Sequence, residues 1–127
     1  KRYDKAVETM NECIRIKPWG HDLYLTGGIL YEKVGDTISS KKYFQKSLTI
    51  LNPVLVTMNV HHLNYEMLVS NKAINLIMLG DNKAGNDLLK SIADRQQEPE
   101  LRDFTLSFMN KSKKELVEMM TNGQYSR

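Results

Sequence analysis

One order of small and apolar residues occurs three times along this chain. In SKKYFQKSLTILNP, residues 40–53, these side chains fall three, four, seven, eight and eleven positions after Ser40. Those offsets lie on one side of an α-helix. Ala6 stands 34 positions before Ser40 and Gly85 stands 45 positions after it, and each is followed by small or apolar residues four, seven and eight positions later. A period of about 34 residues is typical of helical solenoids, in which stacked helices bury a continuous core.

The limits of the helix that contains this stretch are also predicted. Asp36 can accept hydrogen bonds from the free backbone N–H groups of a first turn. Pro53 has no backbone N–H and disfavours helical geometry at Asn52, so we expect the helix to end there. No window alternates apolar and polar residues over enough positions to predict a strand. The sequence therefore predicts an all-α fold.

Residues 21–53, HDLYLTGGILYEKVGDTISSKKYFQKSLTILNP, resemble a tetratricopeptide repeat (TPR). Ser40 and Ser47 replace the alanines usual in this family, and Gly27 stands where leucine is commoner. Similarity to the family implies a right-handed solenoid of helical hairpins, an α-α superhelix. The residues that match its alternation of large and small side chains are Tyr24, Gly28, Tyr31, Gly35, Ser40, Phe44, Ser47 and Pro53.

The resemblance makes residues 1–127 one TPR-like domain, which we expect to be a fragment of a longer chain because it begins at Lys1 rather than Met. Its first helix would then lack a partner, so an upstream helix or a second copy in a homodimer should cover that helix. The parts that the resemblance defines are the second helix of a truncated repeat at 3–18, a full repeat at 21–53, an insertion at 54–65, a degenerate repeat at 66–93 and C-terminal capping helices at 99–121.

Two regions depart from the repeat period. The insertion, VLVTMNVHHLNY, is apolar enough to pack, and we expect a loop that leads into an extended helix running to Leu79. In the tail, Ser112 and Glu115 have the spacing of a capping box before an apolar run. We therefore expect helices near 100–110 and 113–121, with one continuous helix as the alternative.

The composition argues against several classes of function. The 18 basic and 15 acidic residues give a formal charge of +3 and are scattered, whereas nucleic-acid binding usually concentrates charge on one face. The one cysteine, Cys13, allows no internal disulfide and no thiolate zinc cluster, and we expect it to be a small buried residue. No apolar run approaches the ~18 residues of a membrane span. The compartment stays open between cytoplasm and periplasm.

Two residue pairs suggest chemistry only weakly. Ser39 and Lys42 have the spacing seen in serine acyl-transfer enzymes, but the companion motifs are absent. His62 and Glu66 would share a helix face and could supply two metal ligands, which is too few for a firm site. We therefore predict a protein that is not an enzyme and that uses no cofactor or metal.

The TPR resemblance places partner binding on the concave wall formed by the first helix of each repeat. Family members that grip a terminal carboxylate use Lys, Asn and Arg there, and only Asn71 matches, so this mode is not expected. The residues that the resemblance assigns to the concave wall are Asp22, Leu25, Ile29, Glu32, Lys33, Met67, Ser70, Asn71, Ile74, Ile77 and Met78.

An apolar wall of this kind suits an amphipathic helix. The first hypothesis is an interaction module that binds a peptide or helix of a partner protein. The alternative is a structural or oligomerisation scaffold whose groove is filled by its own tail, with Phe104 and Phe108 as the filling residues.

Overall fold

Seven α-helices make up the part of the chain that the computed structural model describes, residues 3–122. The prediction of an all-α fold is confirmed for these residues, among which no strand occurs. The helices are α1 (Tyr3–Ile16), α2 (His21–Val34), α3 (Thr37–Thr57), α4 (Tyr65–Met78), α5 (Asn82–Arg95), α6 (Pro99–Leu106) and α7 (Lys113–Thr121).

Packing follows chain order for most of the molecule. Each helix from α1 to α5 packs against the helix that comes after it. α7 instead returns to α2, which also contacts α4. α2 is therefore bordered by four other helices. The apolar cluster at the centre contains Leu25, Ile29, Phe44, Ala73, Ile74, Ile77, Met78, Leu89, Phe108, Leu116 and Val117.

Small residues bring α2, α3 and α4 into close contact. A Cβ atom added at Gly28 would lie 2.5 Å from the Phe44 ring, so α2 can approach α3 only with glycine at this position. Ser47 is buried, and its hydroxyl donates a hydrogen bond of 2.8 Å to the backbone carbonyl of His21. The same hydroxyl accepts a hydrogen bond of 2.8 Å from the amide of Asn75. One small side chain thus links three helices.

Two Gly-Asp pairs form the turns between α2 and α3 and between α4 and α5. Gly35 adopts the left-handed conformation, with φ of 86°, which favours glycine. The Asp36 carboxylate then accepts the backbone N–H of Ser39 at 3.0 Å, as predicted for the start of α3. Asp81 accepts the N–H of Ala84 at 3.3 Å in the same way. Each turn is explained by local chemistry alone.

The prediction that Pro53 ends its helix is wrong, because α3 continues to Thr57. Proline removes one hydrogen bond, the one that would reach the carbonyl of Thr49. Thr49 and Pro53 are both exposed, so water can solvate that carbonyl. The helix therefore tolerates the loss.

The insertion also differs from its prediction. Its first four residues extend α3, residues 58–64 form a loop, and α4 begins only at Tyr65, so α4 is not an extended helix. Met58 turns the backbone into extended geometry, with φ of −79° and ψ of 137°, which ends α3. Val56 and Leu63 point into solvent, so much of this apolar segment does not pack.

The prediction that Cys13 is buried is wrong, because its side chain is exposed. α1 packs against α2 but contains no buried residue. Cys13 stands at the repeat position of Ser47, which lies between helices on two sides. Within residues 3–122 no helix covers the corresponding side of α1, so the pattern alone could not reveal the exposure.

The tail forms two separate helices, as predicted, and not the single continuous helix that was the alternative. α6 ends at Leu106, earlier than expected, and turns follow before Asn110, whose φ is 59°. The start of α7 has both hydrogen bonds of a capping box: the Ser112 hydroxyl accepts the backbone N–H of Glu115, and the Glu115 carboxylate accepts the backbone N–H of Ser112. The predicted end at Asn122 agrees with α7, while residues 123–127 lie outside the described part of the chain.

Candidate functional site

Most of the apolar residues of the predicted concave wall are buried, and the tail helix α7 packs against the part of the wall on α2. The apolar members of that predicted set are buried, except for Met67. Leu116 and Val117 of α7 belong to the same apolar cluster, together with Phe108 from the turn after α6. Most of the predicted wall is therefore not open to a partner. The buried residues of the set are Leu25, Ile29, Ile74, Ile77 and Met78.

Two ion pairs hold α7 along α2. The ammonium group of Lys33 donates to the Glu118 carboxylate, and Lys113 Nζ lies 3.4 Å from Glu32 Oε2. Glu32 also accepts the hydroxyl proton of Ser40. The hydrogen bond from Lys33 lowers the pKa of Glu118, and the same bond raises the pKa of Lys33. Two predicted wall residues thus serve to fasten the tail.

The direction of these shifts predicts that acid loosens α7. A carboxyl group with a lowered folded pKa contributes stability above its ordinary pKa of 4.5, and that contribution is lost as the pH falls through the folded value. For Lys33 the contribution is present below 10.5 and is lost as the pH rises through its raised value. Backbone amides of α7, corrected for intrinsic exchange, should therefore lose protection below pH 4.5.

Glu118→Gln supplies the comparison, because glutamine does not titrate. The acid-induced loss of protection should be smaller in this variant, though not absent, since an accepted backbone hydrogen bond also lowers the pKa of Glu115. Glu8→Gln on α1 is the matched control and should behave like the parent chain. An equal loss in all three chains would contradict the role of Glu118.

An apolar cleft remains open where α7 ends, between α4, α6 and the loop before α4. Its volume is about 460 Å³. Leu63 is 93% exposed and Met67 is 55% exposed, while Leu101 and Phe104 are each nearly half exposed. The polar lining residues are Glu66, Ser70, Asn71, Gln96 and Thr105, and the apolar ones are Leu63, Met67, Ile74, Leu89, Leu101, Phe104, Phe108 and Met120.

A polar network fixes one wall of this cleft. The buried Gln96 side chain donates to Glu66 Oε1 at 3.1 Å and accepts the Thr105 hydroxyl proton at 2.8 Å. Arg95 Nε lies 3.5 Å from Glu66 Oε2, and its guanidinium group stacks 5.0 Å from the ring centre of Tyr65. These contacts join the start of α4 to the end of α5 and to α6, so the cleft is held in one shape.

The remaining predicted wall residues are polar and lie on α2 and α4. Asn71 Nδ2 is 3.3 Å from His21 Nε2, while Ser70 is half-buried and Asp22 is exposed. Burial lowers the pKa of His21, which favours the neutral ring. A neutral ring nitrogen can accept the amide proton of Asn71, so this contact links α4 to the start of α2.

Sequence reasoning missed Leu63, Leu101 and Gln96 as lining residues. Leu63 belongs to an insertion that was expected to pack, and its exposure gives the cleft one of its edges. Leu101 shows a helical pattern in the tail, but no sequence signal indicates which helix it faces. Gln96 follows the last residue of α5, and its role depends on contacts with α4 and α6.

The weak chemical pairs have structural roles in the chain. His62 lies in the loop, where its Nδ1 accepts the N–H of Asn64 at 3.0 Å, so it does not share a helix face with Glu66. The Ser39 hydroxyl donates to Asp36 at 2.8 Å as part of the α3 cap. Among residues 3–122 no group of three or more His, Cys, Asp or Glu side chains is arranged to hold a metal ion.

Comparisons with protein-family models, with curated proteins and with solved structures found no match to this chain. None of the helices in the described range combines the length and apolar character needed to cross a membrane. The apolar cleft and the tail beside it are therefore the features of the chain that indicate a function.

Proposed function

We propose that this chain is a non-enzymatic, TPR-like interaction module that binds an amphipathic helix of a partner protein in its apolar cleft. The observation that carries the proposal is the exposure of Leu63, Met67, Leu101 and Phe104 around one cleft of about 460 Å³. Exposed apolar side chains scattered singly are ordinary, but a contiguous group around a concavity is typical of a binding site.

A helix is the expected occupant because the groove already holds one. α7 lies against α2 with Leu116 and Val117 inward and Glu118 paired at its edge. Met120, near the end of α7, lines the cleft itself. The cleft is therefore the continuation of a surface that accommodates an amphipathic helix, and a partner helix would extend the same mode of packing.

The repeat pattern and the packing order support the TPR-like part of the proposal. Helices that pack successively, with small residues where they touch, are expected of a right-handed solenoid of hairpins. In this interpretation α2 with α3 and α4 with α5 are two hairpins, and α6 and α7 are the capping helices. A homodimer through the uncovered side of α1 stays a prediction.

The second candidate is a scaffold whose groove is filled by its own tail. It is favoured by the complete burial of Leu116 and the near-complete burial of Val117. In that case α7 is a permanent part of the core, and the cleft is only the gap beyond its last turn. The two candidates differ in whether a foreign helix gains affinity from the cleft.

The proposal is tested with a short fluorescent peptide whose leucines follow the i, i+3, i+4, i+7 pattern of an amphipathic helix. The double change Met67→Glu with Leu101→Glu should weaken its binding at least about tenfold, because two charges would line the cleft. Both side chains are about half exposed, so the fold should survive. Fluorescence anisotropy measures the affinity, and circular dichroism measures the helix content.

Ile16→Glu with Val56→Glu is the matched control, because it adds the same charge at exposed apolar positions away from the cleft. The control should bind like the parent chain. Equal affinity of all three chains, or equal binding of a peptide with scrambled leucines, would reject the cleft as the site. Charges at the buried Leu25 and Ile74 would test folding instead of binding.

A further inference from the structure

Lysines far apart in the sequence meet at the end of α2 opposite the apolar cleft. Lys41 and Lys42 of α3 line a cleft of about 660 Å³ together with Lys113 of α7. Lys33, Lys113 and Lys114 line an adjoining cleft of about 470 Å³. We call these five lysines the basic surface. The sequence showed only two separate lysine pairs, because the return of α7 to α2 is what joins them.

The acidic residues in these clefts are already engaged. The Glu32 side chain is only 13% exposed, and its carboxylate accepts the Ser40 hydroxyl proton and pairs with Lys113. Glu118 pairs with Lys33. Within residues 3–122, Lys41, Lys42 and Lys114 have no carboxylate at ion-pair distance, and all three are exposed. The basic surface therefore carries an unbalanced positive charge.

Longer-range charges reduce this field without removing it. Lys42 lies close enough to Asp36 to help lower the pKa of that carboxyl group, and Lys114 acts on Glu118 in the same way. However, the Asp36 carboxylate already accepts hydrogen bonds from Ser39. The ammonium groups of Lys41, Lys42 and Lys114 are left to solvent or to a ligand.

The surroundings of the lysines select among anionic partners. Ile38 is 74% exposed beside Lys41 and Lys42, and Met78 and Leu79 line the same cleft. Among residues 3–122 no aromatic ring lines either cleft, although Tyr3 has its ring centre 5.4 Å from Lys33 Nζ. Single-stranded nucleic acids are usually held by base stacking on several such rings. A peptide segment in which carboxylate side chains flank an apolar side chain would suit this surface. Its carboxylates would pair with the lysines, and its apolar side chain would pack against the exposed Ile38.

We propose that the basic surface binds an acidic segment of a partner protein. Carboxylates of the segment pair with Lys41, Lys42 and Lys114, and an apolar side chain between them packs on Ile38. This site does not depend on the apolar cleft. Met67 at that cleft and Met78 at the basic surface are separated by roughly 16 Å along α4, at a rise of about 1.5 Å per residue.

The test uses the whole chain and a short fluorescent peptide in which glutamates flank leucines. Lys41→Gln with Lys42→Gln should weaken binding about tenfold, since each exposed charge pair contributes modestly. Lys83→Gln with Lys90→Gln removes the same charge from exposed positions on α5 and is the control, with binding expected to stay at the parent level. Affinity should also fall steeply as salt is raised.

Three outcomes would overturn the proposal. The first is an equal loss of affinity in the α5 control, which would show that binding depends on the net charge of the protein and not on this surface. The second is equally tight binding of a peptide with glutamine in place of glutamate. The third is tighter binding of a single-stranded oligonucleotide of the same charge, which would assign the surface to nucleic acid. Circular dichroism of each variant confirms that the compared chains are folded.

Discussion

Phe44→Ala is expected to lower the free energy of unfolding by about 3–5 kcal/mol, which is a large part of the ~5–15 kcal/mol that stabilises a typical domain. The Phe44 side chain is 0% exposed and packs where Gly28 brings α2 against α3. Because Gly28 has no side chain, α2 offers no atoms that could move in to fill the cavity. Urea denaturation followed by circular dichroism measures the loss.

Phe104→Ala is the matched control, since it removes the same ring from a side chain that is nearly half exposed at the apolar cleft. Its cost should be well below that of Phe44→Ala, about 1.5 kcal/mol, because nearly half of the ring is already in solvent and water can enter the space it leaves. A similar cost at the two positions would show that Phe44 does not organise the core. Phe104→Ala should also weaken the helical peptide, which separates its role at the cleft from stability.

Leu116→Asp is expected to release α7 from α2. Leu116 is completely buried, and a carboxylate without a partner at that position costs several kcal/mol, on the order of 3–5. A helix as short as α7 is marginal by itself, so it should detach rather than carry the charge into the core. Amide exchange should show loss of protection across α7, with protection kept in α2 and α4.

Release of α7 should also raise the affinity for the amphipathic peptide at least about tenfold, because the groove of Leu25 and Ile29 would open beside the cleft. Lys114→Gln on the exposed side of α7 is the control, since it removes only a longer-range charge from Glu118 and should leave the protection of α7 and the peptide affinity close to those of the parent chain. If Leu116→Asp unfolds α1 to α5 together with α7, the tail is a structural cap and the scaffold candidate is favoured.

Local features of the fold could be predicted because they depend on neighbouring residues. Asp36 caps α3 and Ser112 caps α7 through bonds to residues three positions away. The small residue at Ser47 is visible from its spacing alone. Pro53 failed as a stop signal because proline removes only one hydrogen bond, and water can solvate the exposed carbonyl of Thr49 that loses it. The presence of proline alone does not indicate whether that loss ends a helix.

The candidate site was less accessible to sequence reasoning because long-range packing defines it. The repeat positions predict the wall, but they do not show that α7 returns to α2, that Ile29 and Ile74 are buried, or that Met67 stays exposed. The sequence supports a groove filled by the tail only as an alternative hypothesis. No spacing in the sequence indicates that Lys113 pairs with Glu32, which stands 81 positions earlier.

The docking of α7 on α2 has a consequence for the order in which the chain folds. Contacts between successive helices close short loops, whereas the pair of Lys33 and Glu118 joins residues 85 positions apart. Closing a longer loop costs more chain entropy, so the hairpins can form before this contact does. A chain emerging from the ribosome has α1 to α5 exposed before α7 exists. Leu25 and Ile29 then form an exposed apolar surface, which is prone to non-specific association. The later docking of α7 buries this surface within the same chain.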